Sequence, residues 1–383
     1  MLIKTTSDLE NLCTQLTNEN FVCVDLEFLR EHSYFAKLCL IQIASPSTEA
    51  IIDPLSPDID LNPFFELMKT PSITKVFHSG RQDIELIYQM GHCIPSPLFD
   101  TQIAASALGF GESISYENLV KNLLKINLDK TSRLSDWSKR PLSQEQTQYA
   151  IGDVSYLCKM YPIIIDNLNR QNRLHWIEEE FEVLKNPALY SINPQDVWKK
   201  MRHRSHNPKF LTLLRELAAW RETRAINKNV PRQSFIKDDI LLNICSACPQ
   251  TKDNLIAIRG VRKDLAQGKI GDEIIEVVQK FKLLDKQDYV SICCDDKNIC
   301  IDNALFEMLK MLLRIISSQN NVSQKLIASD DDLKLFCQEQ ASSTKFTQGW
   351  RYEIFGKLAL QICDGTTGLI YNAKNHSVEL FKA

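Results

Sequence analysis

An α/β domain followed by two small, nearly all-helical domains is the architecture that this sequence of 383 residues predicts. Short apolar runs of strand length alternate with capped helical segments through the first half. Beyond Asn186 the pattern becomes almost wholly helical. Charge is also divided unevenly along the chain, which sets its parts chemically apart. At roughly 150 residues per domain, the length suits two or three domains. With 44% hydrophobic and 24% charged residues the composition is globular, and 12 Gly and 14 Pro exclude a collagenous or low-complexity chain. No apolar run approaches the roughly 18 residues of a membrane helix. The opening MLIKTTSDLENL lacks the continuous apolar core of a secretory or transit peptide. The expectation is a soluble, cytoplasmic protein with no membrane association and no obligate protein partner.

Residues 21–28 form a strand with Val22, Val24, Leu26 and Phe28 on one face and Cys23, Asp25 and Glu27 on the other. Residues 37–44 and 49–53 follow as strands, which suggests an antiparallel meander opening a mixed sheet. Residues 73–77 supply another strand, feeding a helix whose start carries Ser79 and Gln82, an S-x-x-Q capping box. Ser143 and Gln146 repeat that signature before a long helix reaching about residue 168. The segment NPALYSINPQD, with Pro187 and Pro194, reads as a linker. Amphipathic helices then fill 208–288, the first presenting Phe210, Leu214, Leu217 and Trp220 on one face. A second helical block covers about 299–363, with its apolar run at 305–316. Residues 369–381 read as a hairpin turning near Lys374 and Asn375. The expected domains are 1–195, 208–288 and 297–383.

The net charge of −3 hides a gradient. Residues 1–195 hold 16 Lys and Arg against 25 Asp and Glu, residues 196–237 hold 11 against 3, and residues 238–383 hold 18 against 20. The middle segment is dense enough in positive charge to attract a polyanion, although basic clusters also serve simply to solvate a surface. The 12 cysteines are mostly scattered singly, apart from Cys245 and Cys248 and the group Cys293, Cys294 and Cys300. They read as reduced thiols that pack as small hydrophobes. Cys245 and Cys248 have the spacing of half a zinc site, but no partner pair follows at usable spacing, so zinc is not expected.

Asp25 and Glu27 sit two apart on a strand and so point to one side. Two carboxylates this close repel, which either raises a pKa or calls for a cation. A solvated strand end with Arg30 or Lys37 as counter-ions would serve equally well for this pair alone. Asp83 falls in the first turns of its helix, where the helix dipole favours a negative charge whatever its role. Tyr149 and Asp153 are four apart on the long helix and share a face. Gly152 between them costs about 1 kcal/mol relative to Ala in a helix interior, which suggests a close backbone approach.

The ordered set D-x-E, a helix-borne Asp and Y-x-x-x-D is the pattern of the DEDDy class of 3′–5′ exonucleases. The segments VDLEFLREHSYFAKLCLIQIA, KVFHSGRQDIE, LFDTQIAAS and LSDWSKRPLSQEQTQYAIGDVSYL resemble the ribonuclease D family over residues 1–200. LLRELAAWRETRAINKNVPRQSFIKDDILLNIC resembles an HRDC domain. The stretch from SQKLIASDDDLKLF to GWRYEIFGKLAL is similar to a second, weaker HRDC repeat. The resemblance implies a ribonuclease H-like exonuclease fold, a mixed sheet flanked by helices, followed by two all-α HRDC-like domains. It implies Asp25, Glu27, Asp83 and Asp153 as ligands of two divalent cations, Mg²⁺ or Mn²⁺, hard ions that suit all-oxygen donors. Tyr149 becomes the tyrosine of the third motif. With only about 0.1% phenolate at pH 7 it would orient water or the scissile phosphate rather than act as the base. The implied substrates are transfer RNA precursors and other small RNAs, shortened from the 3′ end to nucleoside 5′-monophosphates.

Further residues have substrate roles on this reading. Phe28 and Leu29 follow D-x-E and would wedge the terminal nucleotide. Arg140 would hold a phosphate. Lys199, Lys200, Arg202 and Arg204, with Lys209, would track the RNA backbone. His78 and Trp137 read as structural. Two rivals stay open: a DNA 3′–5′ exonuclease, as in Werner-type proteins, and a non-catalytic RNA-binding protein. The chain lacks the G-x-x-x-x-G-K-[ST] of the helicase that Werner-type proteins carry. Ile151 and Gly152 depart from the small helix-forming residues usual in the family, which would loosen the helix and slow the enzyme.

Overall fold

The computed structural model describes residues 1–128, 135–290, 302–339 and 344–382. The first part runs β1 (Leu2–Ile3), α1 (Thr6–Leu16), β2 (Phe21–Leu29), β3 (Lys37–Ala44), β4 (Glu49–Ile52), α2 (Asn62–Lys69), β5 (Thr74–Phe77), α3 (Arg81–Gly91), β6 (Leu98–Asp100), α4 (Thr101–Ala107), α5 (Tyr116–Leu124), α6 (Gln144–Arg170) and α7 (Glu178–Leu184). Helices then dominate: α8 (Pro208–Lys228), α9 (Arg232–Phe235), α10 (Asp238–Ala247), α11 (Lys252–Ile256), α12 (Lys263–Gln267) and α13 (Lys269–Lys282). The last part has α14 (Asn303–Asn320), α15 (Gln324–Ile327), α16 (Asp330–Glu339), α17 (Gly349–Arg351), a π-helical turn at Tyr352–Gly356, α18 (Lys357–Cys363) and the strands β7 (Thr367–Asn372) and β8 (Ser377–Lys382).

One six-stranded sheet has the order β1-β4-β3-β2-β5-β6. β1 is parallel to β4, β4 antiparallel to β3, and β5 parallel to both β2 and β6, so the sheet is mixed. β2 lies inside it, and Val22, Val24 and Leu26 on its apolar face are buried. The expected hairpin exists as the antiparallel pair β7–β8.

The contacts divide the chain differently from the expected domains 1–195, 208–288 and 297–383. One compact unit comprises Met1–Glu27, Leu38–Pro187 and Asn298–Ala383. The C-terminal block expected to stand alone therefore shares a hydrophobic core with the sheet. Cys23, Val76 and Phe99 from the strands meet Val154, Leu157 and Ile164 of α6, and the same cluster continues into Leu309, Leu312, Phe346 and Phe355. Trp176 stacks flat on Trp350, with centroids 4.2 Å apart at 4°. Arg173 covers the outer face of Trp176, and Arg351 lies over Trp350, making a cation–π stack at each end. Arg351 is fully buried and holds Glu179, Glu180 (2.7 Å) and the Leu326 carbonyl (2.8 Å). Such a buried guanidinium is tolerable only because it is paired and bonded.

The second unit comprises Phe28–Lys37 and Ala188–Lys297. Its core joins Leu214 and Leu217 of α8 to Ile244, Leu255, Ile274 and Phe281. Val197 and Met201 also belong to that core, so the expected linker 186–196 runs at its end into a 3₁₀ helix, Pro194–Lys200, that packs there. Within this unit Tyr34 donates its hydroxyl to Glu222, and the Phe35 N–H donates to Asn229 Oδ1 at 3.0 Å. Gly271 has no room for a side chain, since a Cβ there would fall 1.8 Å from the Ala266 carbonyl oxygen. Cys293, Cys294 and Cys300 lie outside the described residues.

Candidate active site

The site is built where β2 outruns its neighbour. The register pairs Phe21, Val22 and Cys23 with Thr74, Lys75 and Val76, and β5 stops at Phe77. Asp25 and Glu27 therefore stand beyond the end of β5, on the same side of β2 as Cys23, which packs towards α6. α6 brings Asp153 to the same place. Ligand oxygens of Asp25, Glu27 and Asp153 lie within 4.8 Å of one another, and all three residues are half-buried. The start of α6 carries the predicted capping box. The Ser143 hydroxyl accepts from the Gln146 N–H at 3.1 Å, and the Gln146 side chain accepts from the Ser143 N–H at 3.0 Å.

Asp83 lies outside that trio of closest oxygens, buried in the first turn of α3. The capping box predicted at Ser79 and Gln82 does not form. Ser79 adopts φ 58°, α3 starts at Arg81, and Gly80 occupies the cap with no side-chain cap bond. The acceptor comes instead from the end of β6. The Asp100 carboxylate takes the N–H groups of Ser79 (3.1 Å) and Gly80 (2.8 Å) and also caps α4 through Gln102 (2.8 Å) and Ile103 (3.3 Å). A carboxylate outcompetes a hydroxyl as acceptor, and serving two helix starts it ties α3 to α4. Only glycine fits at position 80, where a Cβ would fall 2.5 Å from that of Phe77.

The acids repel as their spacing demands. Burial pushes the Asp25 carboxyl up to about 7, with partial relief from the Leu26 backbone. Burial, then the charges of Asp25 and Asp100, push Asp83 well above the ordinary carboxylate range. Oxygen-only donors crowded to this degree fit a hard divalent cation, which would remove the repulsion that otherwise favours protonation.

Tyr149 lies one turn before Asp153 on α6, its ring 5.9 Å from that of Trp137. Trp137 is buried and its indole N–H has no partner among the described residues. Gly152 is not held by tight packing, because a Cβ there would meet only the Tyr156 ring, at 3.6 Å. Phe28 and Leu29 complete β2 and are half-buried. Arg140 does not suit the phosphate role predicted for it. Its five N–H donors are all engaged, two with Asp53 at 2.7 Å and three with the carbonyls of Cys39, Trp137 and Lys139. Burial works to raise the Asp53 pKa, but bonds from Arg140 and the Leu55 N–H outweigh it and hold the carboxyl below its usual range. His78 also has both ring nitrogens occupied, by Thr101 Oγ1 (2.9 Å) and the Ile114 carbonyl (3.1 Å). Sequence reasoning missed Tyr116, whose hydroxyl reaches the Gly152 carbonyl at 2.9 Å, because a bond to backbone leaves no residue pattern.

In the second unit the basic segment is less positive than its composition. Arg215, Arg221, Arg224 and Arg232 pair with Glu216, Asp238, Glu273 and Glu222, and Lys199 pairs with Asp196 at 2.6 Å. Lys200, Arg202, Arg204 and Lys209 are exposed, with no ion pair among the described residues. No helix among the described residues is long and apolar enough to cross a membrane. Among the described residues, the acidic trio is the sole group of three or more His, Cys, Asp or Glu that could hold a metal, and Cys245 and Cys248 are free thiols.

A family model described as a 3′–5′ exonuclease matches residues 1–169, and an HRDC domain model matches 210–278. Ribonuclease D of Bartonella henselae is 40% identical over 381 residues, covering 99% of this chain and 94% of that one. Ribonuclease D of Jannaschia sp. is 38% identical over 382 residues, covering 99% and 98%. The crystal structure of Escherichia coli RNase D, titled an exoribonuclease involved in structured RNA processing, superposes with a TM-score of 0.82 at 24% identity. That match covers 95% of this chain and 98% of that one, and it establishes the common fold.

Proposed function

Since the chain belongs to the ribonuclease D family and is a 3′–5′ exoribonuclease, we propose that its substrates are the 3′ ends of transfer RNA precursors and other small RNAs in the cytoplasm. It removes nucleoside 5′-monophosphates one at a time, using two divalent cations, Mg²⁺ or Mn²⁺, held by Asp25, Glu27, Asp83 and Asp153. The observation that carries this reading is the convergence of Asp25, Glu27 and Asp153 within 4.8 Å, with Asp83 close enough to feel the charge of Asp25. When bound, the cations supply Lewis-acid activation of water and neutralise charge gathered on the scissile phosphate.

The residues of the chain do the rest. β2 presents Asp25 and Glu27 from a rigid, buried strand, and α6 sets Asp153 against them, so the site requires little reorganisation. Tyr149, one turn from Asp153, orients the attacking water or the phosphate by hydrogen bond, its phenol being too weak an acid to serve as base at neutral pH. Phe28 and Leu29, next along β2, support the terminal nucleotide. Lys200, Arg202 and Arg204 hold the RNA backbone through salt-dependent phosphate contacts, with Lys199 contributing less because Asp196 already engages it. The helical block that ends in the hairpin is the second HRDC-like repeat, joined to the nuclease core.

The test is a time course on transfer RNA precursors labelled at either end, with Mg²⁺, Mn²⁺ or EDTA, beside Asp25→Asn. Stepwise 3′ shortening that disappears with EDTA and in the variant is the expected result. Salt-sensitive binding without shortening in either metal would sink the catalytic reading.

A further inference from the structure

We infer that Tyr116 is a positioning residue for the acidic site: its hydroxyl fixes α6 laterally so that Asp153 meets Asp25 and Glu27. The inference rests on the reading of those acids as a cation site. Tyr116 opens α5, directly after the cap Ser115, and donates to the Gly152 carbonyl at 2.9 Å. That carbonyl lies in the middle of a helix and has a second lone pair to offer beyond the helical bond, so Tyr116 is not needed to satisfy it. The bond adds a tie between two helices at the residue preceding Asp153.

Its place along α6 matters. Residues 143–148 of the helix are mostly exposed, and continuous burial begins only around Ala150 and Val154. Tyr116 therefore grips α6 where it passes from a solvated end into the core. Tyr116 is itself anchored. Its ring meets that of His78 edge-on, centroids 5.5 Å apart, and His78 is bonded to Thr101 and to the carbonyl of Ile114, two residues before Tyr116. Gln102 bonds the same carbonyl at 3.1 Å. A continuous path thus leads from the end of β5, where the turn towards Asp83 begins, through Tyr116 to Asp153. Burial, then the charges of Asp153 and Asp25, raise the phenol well above its ordinary pKa.

Tyr116→Phe removes the hydroxyl and keeps the ring on His78. A net hydrogen bond of ordinary strength corresponds to about a 3- to 10-fold change, so Mn²⁺ titrated calorimetrically should bind weaker by about that factor. The midpoint of cation activation should move equally, while KM for a single-stranded oligoribonucleotide stays within about twofold and the variant remains folded by circular dichroism. In an Asp153→Asn background the same substitution should leave Mn²⁺ affinity unchanged, because the group acts through Asp153. Unaltered Mn²⁺ affinity, an equal loss in the Asp153→Asn background, or collapse of the fold would each overturn the assignment. Wild-type protein that binds no Mn²⁺ would instead overturn the cation reading, before any variant is made.

Discussion

Asp25 and Asp83 hold protons in the folded, metal-free protein at pH values where an unfolded chain has released them. Folding therefore takes up protons between about pH 4 and pH 7, and stability falls as pH rises through the Asp25 value of about 7. In EDTA the melting temperature should be higher at pH 6 than at pH 8, and Mn²⁺ should raise it more at pH 8. An equal metal effect at both values would mean that the cation does not relieve these carboxyls. Arg140 poses a different question, since a basic residue in the stretch SDWSKRPL looked from sequence like a phosphate ligand. Its partner Asp53 lies 87 positions away, a pairing that no local pattern encodes. Arg140→Ala should destabilise the protein by about 3–5 kcal/mol in urea unfolding, by stranding a buried carboxylate. KM for RNA should hardly change, and a raised KM at unaltered stability would restore the phosphate role.

At the scale of elements, the strand and helix carrying the acids were readable because alternation and the D-x-E and Y-x-x-x-D spacings are local. The start of α3 was not. Ser79 and Gln82 have the right letters, yet Asp100 supplies a stronger acceptor from another strand. Gln82→Ala should thus shift stability by less than about 0.5 kcal/mol. Asp100→Ala, which uncaps two helices, should cost about 2 kcal/mol or more in urea unfolding and weaken cation binding through Asp83. Comparable effects of the two substitutions would contradict this assignment of caps. On α6, Gly152→Ala meets only the Tyr156 ring and should stabilise by up to about 1 kcal/mol. A fall in melting temperature would show that the helix needs its glycine.

For the whole molecule, the order of domains along the chain was legible and their grouping was not. The first half and the HRDC block each announce themselves by motif, whereas the stack of Trp176 on Trp350 joins residues 174 positions apart. Composition also overstated the free positive charge of residues 196–237, since ion pairs engage Arg215, Arg221, Arg224 and Arg232. A chain truncated after residue 290 deprives the core of the first unit of Leu309, Leu312 and Phe355, and Trp176 of its stack on Trp350. It should be expressed insoluble or melt far below the full-length protein, and a truncated protein of unchanged melting temperature would refute the shared core.

The discontinuity of the first unit also imposes a timetable on synthesis. All four acids have been added to the chain by the time Pro187 is, yet Leu309, Leu312, Phe346 and Phe355 of the same hydrophobic core belong to 298–383. At translation rates of about 5–20 residues per second, residues 188–297 take roughly 6 to 22 s to make, and for that interval the core of the first unit lacks those side chains. A chain that ends before residue 298 should therefore expose apolar surface of the first unit and be held by chaperones more than the full-length protein is.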